Sequence, residues 1–201
     1  AAPRVSGAIT HYPLSYAVNL GRFFIFDAAT RQMGDGAFTV NGMLTDGSYL
    51  DGMSNTMGLA EVKAFTWRMR DGAQPATLGA ALPVDPAAAV ALGGTATQTG
   101  HTEWVDGKAS QTGFTSTFTP NTKVLANSSG VMIDVDIVSR SESLAATSPI
   151  YGVVTSRSYH PGIVQVVMMD GAVRSIANGV SRPVWHALST REGNEAIPSN
   201  P

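Results

Sequence analysis

The chain has 201 residues, with 13 Lys plus Arg against 15 Asp plus Glu, a formal charge of -2 and no cysteine. That length can bury a sizeable core as one domain, or as one domain with a long insertion. The charge balance offers no basic run for nucleic acid or anionic lipid, and the lack of cysteine excludes disulfide scaffolds, thiolate metal sites and cysteine nucleophiles.

Charged residues supply only 14% of the chain, while Gly, Ala, Ser and Thr are abundant, a balance more usual in exported, sheet-rich proteins than in cytosolic helical enzymes. No stretch approaches the ~20 apolar residues of a membrane helix, and Ala1 to Thr10 lacks the regions of a signal peptide. A soluble chain with no membrane segment is therefore expected.

In chain order, aromatic residues crowd the start at Tyr12, Tyr16, Phe23, Phe24 and Phe26, and Phe23 to Phe26 reads as a strand. Asp-Gly pairs recur at Asp35-Gly36, Asp46-Gly47, Asp51-Gly52, Asp71-Gly72, Asp106-Gly107 and Asp170-Gly171. Because Asp-Gly tolerates positive φ, these pairs predict tight turns between antiparallel strands. Leu59 to Met69 reads as one strand. Leu78 to Gly100, rich in Ala, Pro and Gly, reads as an insertion or long connection. Within it, Asp85 as cap, Pro86 in the first turn and Gly93 as stop mark a short helix.

Further strands are expected at Gly113 to Thr119, Val131 to Val138 and Tyr151 to Thr155. Ile163 to Met169, the turn Asp170-Gly171, and Ala172 to Ile176 form the clearest hairpin. Its first arm is nearly continuously apolar, as in a central strand covered on both faces. Ser181 and Pro183 start a second helix carrying Val184, Trp185 and Leu188 before Gly193. Residues 196–201 are expected to fray.

Several of these segments resemble the signatures of a bacterial family. His160-Pro161-Gly162, an apolar strand and Asp170-Gly171-Ala172-Val173-Arg174 match its pattern of His, nine residues, then Asp-Gly. Val184 to Gly193 is similar to its C-terminal ending. Asp51-Gly52-Met53-Ser54-Asn55-Thr56, leading to Ala60-Glu61-Val62-Lys63-Ala64, resembles its second signature, and Ser15-Tyr16-Ala17-Val18-Asn19 a third. The family consists of prepilin-like proteins of unknown function, numerous in planctomycetes and akin to type IV pilins and type II secretion pseudopilins. The resemblance implies a pilin-like globular head and an N-terminal prepilin signal and helix, which lie outside this sequence. It also implies location outside the cell or in the cell envelope, with pilin-like subunits or envelope proteins as partners.

Candidate chemistry is sparse. Ten steps of extended strand separate His160 from Asp170 by roughly 33 Å, so the two are read as structural. Ser54 lacks a nucleophile elbow, and Asn55 and Thr56 are expected to bond to neighbouring backbone. Asp134 and Asp136 alternate on one strand face, where a pair could help hold calcium, as some pseudopilins do in their heads. A solvated strand face is the simpler reading of that pair. His11, His101, His160 and His186 have no zinc spacing.

These observations predict an α+β fold with a predominantly antiparallel sheet and a few short helices, a single domain over 1–201, with no enzyme activity and no cofactor other than the calcium alternative. The expected role is structural, a pilin-like head. The alternative is an extracellular ligand-binding module, with carbohydrate as one ligand class, using a groove beside the 78–100 connection.

Overall fold

The computed structural model describes residues 1–72, 74–142 and 148–195. An antiparallel ribbon opens the chain, β1 (Arg4–Ser6) and β2 (Ile9–His11), turned at Gly7 with φ 59°. Then come β3 (Tyr16–Asn19), β4 (Phe24–Phe26), a 3-10 turn at Asp46–Ser48, β5 (Met57–Glu61) and β6 (Thr66–Asp71). Helix α1 (Pro86–Val90), β7 (Gly94–Gly100), α2 (Ala109–Thr112), β8 (Gly113–Phe114) and β9 (Leu125–Ser128) follow. The described chain ends with β10 (Val131–Val138), β11 (Ile150–Val153), β12 (Ile163–Met168), β13 (Val173–Ala177) and α3 (Arg182–Ala187).

These strands make two main sheets. One has five strands in the order β13-β12-β5-β3-β8; the other has six, in the order β4-β11-β10-β6-β7 with β9 beside β10. The pairings of β6 with β10 and of β3 with β8 are parallel and the rest are antiparallel, so the fold is β-rich and mixed, with short helices, within the expected α+β class. The sheets join along a seam, where Thr115 bridges Thr155 and the Thr115 amide donates to the Val154 carbonyl at 2.8 Å.

Each sheet has its own core. Under the five-stranded sheet, Met57, Phe114, Val164, Val166 and Met168 pack with Trp185 and Leu188 of the α3 region. Under the six-stranded sheet, Phe23, Val124, Val135, Ile137, Tyr151 and Val153 pack with Ala89 of α1. A buried side chain of this size stabilises the fold by about 1.5–3 kcal/mol, so the docking of the α3 region on the five-stranded sheet through Trp185 and Leu188 is a main cohesive contact.

Several elements follow their local signals. The Asp170-Gly171 hairpin forms, with Ile163 opposite Ala177 and Val167 opposite Val173. Asp85 caps α1 by accepting the Ala88 amide at 2.8 Å, Pro86 occupies its first turn, and Gly93 stops it at φ 73°. Strand β10 matches its predicted span.

Others differ. Leu59 to Met69 is two strands in two sheets, because Phe65 takes a left-handed φ of 62° and turns the chain between them. Gly113 to Thr119 is a strand only at its start. Beyond Phe114 the hydroxyls of Thr115 and Thr117 bond to the carbonyls of Gly152 and Arg22, an alternative to a backbone ladder. The other Asp-Gly pairs do not close hairpins between neighbouring strands. The turn between β9 and β10 is instead Ser129-Gly130, with φ of 51° and 85°, the type I′ geometry that suits strand twist. Strand β12 is interior to its sheet, yet its burial alternates: Val164, Val166 and Met168 are buried while Ile163, Gln165 and Val167 are half-covered, so it is not sealed on both faces. Residues 78–100 contain α1 and β7, and β7 forms an edge of the six-stranded sheet. Residues 196–201 lie outside the described residues.

Candidate functional site

The four signature segments, far apart in sequence, converge on the five-stranded sheet and the turn after α3. Asn19 is fully buried, and its side-chain amide donates to the carbonyls of Met57 at 2.7 Å and Ser189 at 2.8 Å, while its Oδ1 accepts the Gly21 amide. Asp51 accepts the main-chain amides of Gly193 at 2.8 Å and Asn194 at 2.7 Å, and its own amide donates to the Arg191 carbonyl. Gly52 turns the chain at φ 88°, and Asn55 donates to the Asp51 carbonyl. Thr56 donates to the carbonyls of Gly52 and Thr190, and its own carbonyl accepts the Met169 amide. The Ser54 carbonyl accepts from Arg174 at 3.0 Å. In each case a side chain or loop satisfies main-chain groups that no ladder reaches.

The His160 motif belongs to the same block. His160 Nε2 lies 3.3 Å from Glu61 Oε1, and Glu61 Oε2 accepts the Gln165 amide at 2.8 Å, so the histidine meets the acid of the second signature rather than Asp170. Pro161 is exposed, and Gly162 takes φ 76° with its carbonyl accepting the Asn178 amide. Asp170, at the far end of β12, accepts the Ala172 amide; that bond and the Ser54 hydroxyl hold its carboxyl below the ordinary value. Gly171 completes the turn at φ 87°. Trp185 is fully buried, its ring centroid 6.2 Å from that of Phe114.

Sequence reasoning missed a second constellation, in the six-stranded sheet. Arg157, 4% exposed, pairs through Nη1 with Asp136, which is 1% exposed, and through Nη2 with Asp134 at 3.0 Å. Asp136 also accepts from the Thr66 hydroxyl at 2.8 Å and the Thr155 amide at 3.1 Å. Burial pulls the Arg157 guanidinium down, but the two carboxylates more than offset that and raise it above its ordinary value. Fully buried His101 holds Nδ1 against the Gln111 carbonyl at 2.9 Å and Nε2 at 3.9 Å from Asp136. Desolvation lowers its pKa, and Asp136 opposes that shift in part. Asp136 is thus buried while Asp134 keeps 34% of its side chain exposed, and Arg157 pairs with both carboxylates. Among the described residues, no group of three or more His, Asp or Glu side chains is placed to hold a metal ion. Nothing local marks Arg157 as their partner, because the contact spans 21 to 23 residues.

The aromatic residues divide. Phe23 and Trp185 are core and Trp67 is half-buried, but Tyr12, Tyr16 and Trp104 are exposed. Trp104 donates its amide to the Tyr12 carbonyl at 3.1 Å, beside the N-terminal ribbon that carries exposed Val5 and Ile9. Two clefts flank the 78–84 segment. The larger, about 340 Å³, is lined by Leu82, Pro83, Val84, Arg182 and His186. Burial, and then the Arg182 charge, lower the pKa of His186 there. The other, about 270 Å³, lies beside Arg22 and Asp35.

A family model described as "Protein of unknown function (DUF1559)" matches residues 4–181. The chain belongs to that family. The match spans both sheets and reaches the start of α3. No curated protein matches the chain, and no solved structure does. Among the described residues, no helix is long and apolar enough to cross a membrane.

Proposed function

We propose that this DUF1559 protein is an exported, pilin- or pseudopilin-like head whose role is assembly at the cell surface or in the envelope, without catalysis. The observation that carries the reading is the N-terminal ribbon. Val5 and Ile9 are 70% and 62% exposed, and Trp104 and Val105, beside Tyr12, are 61% and 72% exposed. Because Val5 pairs with Thr10 and Ile9 with Ser6, the two point to opposite faces of the ribbon, so each face offers an exposed apolar side chain to a neighbour. The ribbon is held to the body by polar contacts, Arg4 to Glu103 and Thr102, and His11 to Glu103. Its apolar side chains are thereby left for a neighbouring pilin-like subunit. The signature residues support the same reading, since they serve main-chain groups rather than any reacting centre.

The absence of cysteine makes the test clean. Ile9→Cys and Val105→Cys are introduced together into the protein in its producing cells, because one thiol per chain could give only a dimer, and the envelope is oxidised. The reading expects a disulfide ladder of the protein with itself, lost when both cysteines are moved to the Asp170-Gly171 turn. Monomer alone at every position would sink it.

A further inference from the structure

We infer that the cleft beside Arg22 and Asp35 is a binding site for neutral saccharides, one compact sugar unit at a time. The inference is independent of the assembly role, because it concerns a different surface and a different class of partner.

The cleft is built by an unusual approach of two backbones. A Cβ added at Gly36 would overlap the Gly21 amide, and one added at Gly21 would overlap Asp35, so only glycine at both positions allows these segments to touch. The contact sets Asp35 under Arg22, where its carboxylate takes the Arg22 main-chain amide at 2.9 Å and Nε at 2.6 Å. The opposite wall, Leu78 to Ala80, is pinned by Tyr151, whose hydroxyl donates to the Thr77 carbonyl at 2.9 Å and accepts the Ala80 amide at 3.3 Å. Gln32 and Met33 are fixed against β4 by the Asp27 amide, which donates to the Gln32 carbonyl, and by the bridge from Phe26 to Met33. The site is preorganised, which lowers the entropic cost of binding.

Its chemistry selects the ligand class. The ion pair is partly open, with side-chain exposures of 40% for Arg22 and 30% for Asp35. Only Nε of the guanidinium is engaged by the acid, so the Nη groups remain as donors, with the carboxylate beside them as acceptor. A fixed donor and acceptor side by side suit two adjacent hydroxyls. The two charges cancel, which favours a neutral ligand. Exposed Gln32 adds an amide, and half-buried Phe24, with Leu78 and Met33, adds the apolar surface on which a sugar's C–H face rests. At about 270 Å³ the cleft falls just under the roughly 300 Å³ at which drug-sized pockets begin, so it admits a ring or two rather than a long chain.

The test is a titration of the isotope-labelled whole chain, followed by amide shifts, with cellotriose, maltotriose and glucuronate as probes. A neutral trisaccharide is expected to move the amides of Arg22, Gln32 to Asp35 and Leu78 to Ala80 in a saturable way, and glucuronate to bind more weakly. Exposed Gln32→Ala should weaken binding about tenfold through one lost hydrogen bond, with melting unchanged. Gly36→Ala should abolish it, and Phe24→Leu, which keeps apolar bulk, should weaken it several-fold. No shifts with either trisaccharide at millimolar concentration, shifts confined to other surfaces, or a preference for glucuronate would each overturn the inference. None of those outcomes bears on the cysteine ladder of the assembly test.

Discussion

The two sheets solve the problem of buried polarity in opposite ways. In the five-stranded sheet the buried polar residues Asn19 and Thr56 are neutral and bond to main-chain carbonyls. In the six-stranded sheet the buried polar group is an ion cluster, Arg157 with Asp134 and Asp136, and a neutral histidine beside it. The first arrangement ties loops to a ladder across long stretches of chain, Asn19 reaching Ser189 and Thr56 reaching Thr190. The second ties the seam to the sheet: the Arg157 amide donates to the Glu61 carbonyl of β5 while its guanidinium grips β10. The signatures therefore mark the network that serves main-chain groups, buried Arg191 with its bonds to the Gly34 and Gly36 carbonyls included, and the Arg157 ion cluster lies outside them.

The largest effects should come from leaving one carboxylate alone in either core. Arg157→Leu strands Asp136, which is 1% exposed, and should cost about 3–5 kcal/mol; Val166→Asp places a new, partnerless carboxylate at a fully buried position of β12 and should cost several kcal/mol. The comparison sharpens with a second change. Arg157→Leu with Asp136→Leu, which removes both charges, should recover much of the loss, whereas no nearby substitution is positioned to rescue Val166→Asp. Denaturant melts of the three variants decide the matter, and an Arg157→Leu protein as stable as its parent would mean that the cluster is solvated.

Next is the neutral network. Asn19→Ala removes two donors to buried carbonyls and the acceptor for the Gly21 amide, and leaving such groups unsatisfied costs about 1–3 kcal/mol. For a chain of this length that is roughly 2–4 °C of melting temperature per kcal/mol. Native-state hydrogen exchange should show the Ser189 region opening first, because Asn19 is its bond to β3.

The two sheets also differ in how far sequence alone reveals them. The β12–β13 hairpin and α1 are legible because their signals, Asp170-Gly171 and Asp85-Pro86, act within a few residues. Strand β7 is not, since Gly94 to Gly100 is made of Gly, Ala, Thr and Gln and holds its place only as an edge partner of β6. The break at Phe65 hides inside an apolar run. Asp134 and Asp136 are legible as a same-face pair, but the burial of Asp136 is not, because the cation that pairs with both arrives from the next sheet's seam. The Arg22–Asp35 cleft is equally hidden: Asp35-Gly36 reads as a turn, and only the fold shows Gly36 making room for Gly21.

Acidification should weaken both sheets through fully buried His101 and half-buried His186. Burial lowers the pKa of His101, so the folded state resists a proton that the unfolded chain accepts near pH 6.5. A depressed folded value contributes stability that is present above the unfolded value and lost as pH falls through the folded one. His186 adds to the same trend, and buried Glu142, whose pKa is raised by desolvation, opposes it, since its contribution is lost as pH rises above the ordinary carboxylate range. Melting temperature should therefore fall from pH 7 towards pH 5. His101→Gln should flatten the fall without reversing it, and an unchanged slope in that variant would mean that His101 titrates in the native state as it does in water.

The smallest effect should be at the signature's most chemically suggestive residue. His160 is 55% exposed and its one charged contact is Glu61 at 3.3 Å; pairs this open contribute about 0–1 kcal/mol. His160→Gln keeps a donor near Glu61 and should shift melting by no more than a few degrees. Glu61→Ala should cost more, because Glu61 also accepts the Gln165 amide within β12 and its loss leaves that amide without this partner. The order of the two variants is the informative result. If His160→Gln proved the more damaging, or abolished the cysteine ladder while leaving the melt unchanged, the histidine would have a partner outside the chain, and the signature would then mark a contact surface as well as an architecture.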